Sequence, residues 1–410
     1  MRTVVVRLFR RGSRPLRRGA FVVAALAFAI ALGAPGGARS ENRFSVKGNY
    51  FREASTRVIQ PMMEVTADLP KGYDIGAYTL IDAISSASIA AGAVADSVFH
   101  ENRYEGGLRV GRTLGLNHVG LFARYSHEPD YLSYAGGLSF TRDVWGRTGT
   151  LAVNLAYGYD DIVPFKPLDP RSLKTYYLGL SYSQILSPTS IAQLDYELTY
   201  LTGPHSAICN PYIAHPNLGR EQCPDTRIRH AIAPKLAYYF PSVGLGLQLR
   251  YRFYFDTGSL GSIGPWGITS HTIEPRIYKS IGSDVEIRLA YRYFHQSKAR
   301  FWCNSRPDWG GDLGCYPMDA QYHSWDPKFG DFSTQYPELK VAWDLHTFAN
   351  IRSLAWLAFG TLDLSYAYYF EGTPYGGLFT DVNAPPIIDW GFTRSHGGAH
   401  VIQTGYTMPF

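Results

Sequence analysis

The sequence predicts an all-β chain, a transmembrane antiparallel up-and-down β-barrel of about sixteen strands. Three observations lead there. In GLGLQLRYRFYFD, residues 244–256, Leu245, Leu247, Leu249, Tyr251, Phe253 and Phe255 share one face, while Gln248, Arg250, Arg252, Tyr254 and Asp256 share the other. A strand that is oily on one side and ionic on the other suits a wall with lipid outside and a wet lumen inside. Beyond residue 41 no apolar run reaches the roughly 18 residues of a helical span, so a mature chain that enters a membrane does so as strands. From the second strand onward short turns alternate with longer loops, as at the periplasmic and outer ends of such barrels, and the parity puts both termini on the periplasmic side.

Composition agrees. Thirty tyrosines against five methionines fit strand ends at a bilayer surface, where a side chain needs one apolar and one wet end. The net charge of +5 is misleading, because the first forty residues hold eight arginines and no acid; without them the balance is −3. A mildly acidic mature chain gives no footprint for nucleic acid. Those forty residues read as a signal peptide: a basic leader, an apolar run over 20–32 that is short for a membrane helix, helix-weakening Gly33, Pro35, Gly36 and Gly37, then Ala38-Arg39-Ser40. Cleavage is expected before Glu41, leaving 41–410 as one barrel.

Taken in order, residues 45–51 and 59–69 form the first hairpin and 74–83 the third strand, after the turn Pro70-Lys71-Gly72. A small-residue loop over 84–102 leads to strands 104–114 and 118–128, joined at Gly115-Leu116-Asn117. Strands 131–143, 150–160, 174–186 and 191–201 follow, the last two flanking Ser187-Pro188-Thr189. After a loop over 202–225 come strand 227–240, the opening strand 244–256, and strands 270–281 and 284–296. The longest loop, 297–334, precedes strands 336–345 and 356–370, and a last strand ends at Phe410. Pro61, Pro234, Pro275 and Pro337 fall inside these strands, where a closed barrel has no edge on which a missing N–H is harmless; bulges or shifted registers are expected there. In HVIQTGYTMPF, Ile402, Thr404, Tyr406, Met408 and Phe410 share a face. This is similar to the C-terminal signal that outer-membrane barrels present to the barrel-assembly machinery, so that machinery, periplasmic chaperones and outer-membrane lipid are the expected partners.

The segments LIDAISSAS (80–88), HEPDYLSYAGGLSFTRD (127–143), SQILSPTSIAQLDYELTYLTG (183–203), LRYRFYFD (249–256), ITSHTIEPRIY (268–278) and RLAYRYFHQS (288–297) resemble an uncharacterised family of Gram-negative outer-membrane barrels over nearly the whole mature chain. The resemblance implies barrel and location; it brings no activity and no catalytic residues.

Four cysteines lie in expected outside loops, Cys209 with Cys223 and Cys303 with Cys315. An exported chain matures in an oxidising compartment, so two local disulfides are expected, each ring contributing on the order of 3 kcal/mol. A zinc site using His205 or His215 has no C-x2-C spacing behind it. Asp308, Asp312, Asp319, Asp326 and Asp331 do not follow the calcium-loop pattern and read as a solvated acidic loop. No metal or other cofactor is expected.

On the lumen side Lys235, Arg250, Arg252, Arg276, Arg288 and Arg292 should neighbour Asp195, Glu197, Glu274 and Glu286. Such charges need water or partners. Either they polarise a conduit, or they form an ion-paired network that stiffens the wall. Asp82 with Ser85, Ser86 and Ser88, and His127 with Asp130, are short-range groupings of common loop residues rather than an ordered nucleophile, base and orienter, so no enzyme is expected. About sixteen strands enclose an aqueous lumen, and a passive pore or transport channel for small solutes is the leading expectation. The alternatives are a non-conducting barrel that presents its loops and an outer-membrane hydrolase.

Overall fold

A computed structural model describes residues 42–410 apart from 54–55, 87–98, 130, 163–170, 204–213, 216–218, 221, 259–263, 303–320, 325–326, 353–354, 356 and 373–397; the expected signal peptide lies outside the described residues. The strands are β1 (Arg43–Arg52), β2 (Thr56–Leu69), β3 (Tyr73–Ser86), β4 (Phe99–Leu114), β5 (Asn117–His127), β6 (Tyr131–Val144), β7 (Gly149–Ile162), β8 (Arg171–Ser187), β9 (Ser190–Thr202), β10 (Ala214–His215), β11 (Gly219–Arg220), β12 (Thr226–Phe240), β13 (Leu245–Thr257), β14 (Thr269–Ile281), β15 (Val285–Gln296), β16 (Phe332–Asp344), β17 (Thr361–Gly372) and β18 (Ala399–Pro409). All but β10 and β11, which pair with each other, form one closed barrel of sixteen strands in which each pairs with its chain neighbours and β18 closes on β1. Closure removes the free edge that an open sheet must protect.

The two faces of the wall differ as the alternation requires. Leu249, Leu289 and Leu364 are 51%, 50% and 54% exposed on the outside. Near the long-loop end the outer surface carries tyrosine contacts, Tyr125 with Tyr134, Tyr157 with Tyr176 and Tyr176 with Tyr200, plus three hydrogen-bonded Tyr–His pairs: Tyr196–His230 at 2.9 Å, Tyr251–His271 at 2.6 Å and Tyr366–His400 at 2.9 Å. Trp343, Tyr238 and Phe240 ring the short-turn end. An apolar band between two aromatic girdles fits a bilayer and would be unstable in water, so the chain is an integral membrane barrel that crosses with strands.

The four strand prolines produce neither bulges nor register changes. Pro61, Pro234, Pro275 and Pro337 keep their pairing with the preceding strand, opposite Gly48, Leu194, Leu249 and Tyr291. On the other side the ladder skips two residue pairs and resumes in the same register: Ile59↔Ala83 to Met62↔Leu80, Ile232↔Phe253 to Lys235↔Arg250, Ile273↔Tyr293 to Arg276↔Ala290, and Gln335↔Phe370 to Glu338↔Ala367. Each ring faces outward, so the lost N–H opens one ladder and the strand stays in line through the other. The shift that does occur lies between Ile185 and Ser187, beside a tight turn.

Other boundaries moved for local reasons. β3 and β4 extend to Ser86 and Phe99, so this hairpin is taller than the small-residue composition suggested. β17 begins at Thr361, not 356, because Leu345–Phe348 winds into a 3-10 turn whose N-cap, Asp344, accepts from the His346 N–H at 3.1 Å, and because Leu345 and Ala358 are buried beneath the connection. Gly115 and Gly282 have φ of +64° and +63° with open space around a would-be Cβ, so it is backbone conformation that selects glycine at these turns.

The tightest apolar packing is not in the wall. Trp266 (0% exposed), Ile268, Ala299, Phe301 and Phe329 form a cluster against the inward-facing Ala231 and Tyr254 at the long-loop mouth. Main-chain bonds strap it down, including Asp256 N–H to Ile268 O at 2.9 Å, Arg300 N–H to Trp266 O at 3.1 Å and Ala299 N–H to Phe329 O at 2.7 Å. Described parts of the two loops expected over 257–268 and 297–334 thus fold inward over the β12–β14 side.

Candidate functional site

Because cross-strand partners share a face, the lumen can be read in rungs. One rung runs Lys235, Arg250, Glu274, Arg292 and Tyr336 across β12 to β16; the next, toward the mouth, runs Ala233, Arg252, Thr272, Phe294 and Thr334. Pairs 233/252, 274/292 and 336/369 belong to the skipped ladder positions, so Pro234, Pro275 and Pro337 stand directly behind this part of the lumen. A cavity of about 480 Å³ lies here, lined by Arg250, Arg252, Arg292, Glu197 and Glu274 with Thr272, Phe294 and Thr334.

Glu274, 5% exposed, accepts from Arg276 Nε at 2.6 Å and from Arg292 Nε at 2.8 Å. Arg252 Nη2 donates to Glu197 at 2.9 Å. Asp195 accepts from Ser181 Oγ and Gln193 Nε2, each at 2.7 Å. Lower on the wall Arg288 pairs with Glu338, and Lys340 with Asp363 at 2.7 Å. Among the described residues, Lys235 and Arg250 have no ion pair and no side-chain hydrogen bond, although they face each other in register. Glu286 remains apart, exposed near the short-turn end.

Above the cavity Arg227 is buried with its guanidinium forked onto Asp256 by two 3.0 Å bonds, a third 3.0 Å bond to Tyr254 Oη, and the Trp266 ring 4.2 Å away. The bidentate pair and the stacked ring tie the mouth cluster to the wall. Sequence reading did not find this clamp. Arg227 and Asp256 belong to period-two strands, but nothing local to Trp266 says that its loop turns inward.

A second charged group lies on the opposite arc, since β4 is eight places from β14 around the ring. Asp82, buried, is bound by Gln60 and Arg103; Glu105 accepts from Tyr78 Oη at 2.8 Å and Arg124 Nη1 at 3.5 Å, and Arg124 also reaches Ser133 at 3.1 Å. Inward glycines pave this arc. Tyr78 lies over Gly107, Phe122 over Gly137 and Arg109 over Gly76, in each case so closely that a Cβ would come within 2.2–2.5 Å of something there. Long side chains therefore lie flat on the wall rather than project into the lumen.

Asp82 is thus held by its neighbours, and His127 lies on the outward face, opposite Tyr104. The side chains of Ser85 and Ser86, and all of Ser88 and Asp130, lie outside the described residues. Cys223 is disulfide-bonded, while Cys209, Cys303 and Cys315 lie outside the described residues, so the expected pairing is not visible. Of the acidic loop, Asp331 is described, 3.9 Å from His295; Asp308, Asp312, Asp319 and Asp326 are not. His205 lies outside the described residues, as does the side chain of His215. Tyr406 and Met408 lie on the outward face of β18, paired with Val46 and Phe44 of β1, and the Phe410 N–H donates to Asn42 O at 3.2 Å.

A family model described as "Protein of unknown function (DUF3570)" matches residues 168–355, a little under half of the chain. Of the family-like segments, those at 183–203, 249–256, 268–278 and 288–297 fall inside the match and those at 80–88 and 127–143 before it. No curated protein matches. Among solved structures the chain is similar to the siderophore receptor PirA from Pseudomonas aeruginosa (11% identity, TM-score 0.42, over 81% of this chain and 56% of that one). It is also similar to OccD3 (OpdP) from Pseudomonas aeruginosa (12% identity, TM-score 0.42, over 92% of each chain) and to CdiB from Acinetobacter baumannii (10% identity, TM-score 0.48, over 90% of this chain and 60% of that one). The chain spans little more than half the length of PirA.

Proposed function

We propose that this chain is a passive outer-membrane pore for small solutes. The observation that carries the reading is the lumen surface. A closed ring of sixteen strands is wide enough for water, and on the β3–β6 arc side chains that could fill the space are laid flat over glycines. The other arc offers charged and hydroxyl groups to a cavity rather than an apolar filling. Assembly through the face bearing Tyr406, Met408 and Phe410, by the barrel-assembly machinery and its chaperones, belongs to the same reading.

A non-conducting barrel that presents its loops is the second reading. What favours it is the apolar cluster around Trp266, which narrows the mouth on the β12–β14 side. Planar-bilayer recording separates the two. Steady ohmic steps from the folded barrel are expected for the pore, and silence from protein shown to be folded by heat-modifiable gel migration would leave the presenting barrel.

A further inference from the structure

The geometry points to an oxyanion-binding subsite in the lumen at Lys235 and Arg250, one that holds small carboxylates or phosphates and gives the conduit a preference for anions. The inference deepens the pore reading, since its ligand is the solute class the conduit favours.

Like charges directly opposite each other across an antiparallel pair are destabilising. Lys235 and Arg250 occupy such a position, in register, where the β12–β13 ladder resumes after the gap at Pro234. A protein can relieve that repulsion with a nearby carboxylate, and three are at hand. Glu274 is directly cross-strand from Arg250, yet its oxygens go to Arg276 and Arg292; Glu197 goes to Arg252; Asp195 is held by Ser181 and Gln193. Five cations therefore face three carboxylates in this patch, and of the two left over Arg250 lines the 480 Å³ cavity, with Lys235 its cross-strand neighbour.

The donor set fits the ligand. An ammonium is a point donor and a guanidinium a planar fork, which together hold a carboxylate or phosphate with two or more charge-assisted bonds. Thr272 and Thr334 supply hydroxyls to the same cavity. With apolar packing above and the wall behind, the site is partly shielded from bulk water, which strengthens such contacts relative to an exposed pair.

The test uses the full chain purified from outer membranes, and K235Q/R250Q beside it. In bilayers under a tenfold potassium chloride gradient the parent should pass chloride in preference to potassium. The double variant should lower that preference by at least about threefold, and K235R/R250K should retain it. In parallel, inorganic phosphate and succinate are titrated separately into the detergent-solubilised protein by calorimetry. Saturable binding of either, lost in K235Q/R250Q, supports the site even if the bilayers are silent, in which case the pore reading alone fails. A conducting barrel with no anion preference, or a preference and binding unchanged in K235Q/R250Q, overturns the subsite and leaves the pore standing. Absence of binding together with silence overturns both.

Discussion

The two arcs of the lumen use the same kinds of residue and reach opposite results. On β2–β5 the buried Asp82 and the half-buried Glu105 are each held by a neutral donor and an arginine, and the network closes on itself. Across β9 and β12–β15 the acids beside the cavity, Asp195, Glu197 and Glu274, are also engaged, but cations outnumber them and Lys235 and Arg250 are left facing each other. Charge inside a barrel is therefore not one property: a closed network stiffens the wall, and unmatched charge is available to a solute. Each arc is backed by outward prolines, Pro61 behind Gln60 and Asp82, and Pro234, Pro275 and Pro337 behind the cationic rungs. The ladder is thus opened where polar groups cluster inside.

The contrast can be broken most directly at Asp82. Asp82→Ala removes the bonds that the buried carboxylate accepts from Gln60 and Arg103 and leaves Arg103 with a long 3.9 Å contact to Glu128; at about 1.5–3 kcal/mol for each bond to a charged group, the loss should be about 3–5 kcal/mol. Urea unfolding of barrels refolded into vesicles reads this, and a loss below about 1 kcal/mol would erase the distinction between the arcs. Glu274→Gln keeps the shape and one acceptor, so a smaller loss, about 1–3 kcal/mol, is expected. Its sharper signature is electrical: with one carboxylate fewer among the cations, the chloride preference should rise, whereas Asp82→Asn should shift it less.

Gly107→Val tests the paving. Its Cβ would come 2.2 Å from the Tyr78 ring, so the ring must leave the wall for the lumen. A destabilisation of about 1–3 kcal/mol is expected for such overpacking, together with a fall in single-channel conductance; unchanged conductance would separate the flat side chains from the open path. The smallest effect belongs to Pro275→Leu. Restoring an N–H toward β15 should gain about 1 kcal/mol and appear in hydrogen exchange as new protection at residue 275, and an absence of protection would mean that the ladder is open for a reason other than the missing donor.

Much of the molecule could be read in advance because a strand carries its own address. Period two puts Leu249 and Arg250 on opposite faces wherever the strand lies, and the loop asymmetry orders the strands; this is why all sixteen and both faces follow from the chain alone. The effect of Pro234 or Pro275 could not be read that way, since it depends on which of two neighbouring ladders receives the missing N–H. Nor did any local pattern place Trp266, because a loop has no periodicity and its direction is set by what it packs against.

What the sequence determined by itself is the wall: an inverted barrel, oily outside and charged within, because alternation is local and the membrane enforces it. Which of those charges are matched is decided by the tertiary structure. Glu274 has cross-strand access to Arg250, yet pairs with Arg276 on its own strand and Arg292 on the next. Partner choice among several charges within reach is a competition of distances in three dimensions, and spacing along the chain does not encode its outcome.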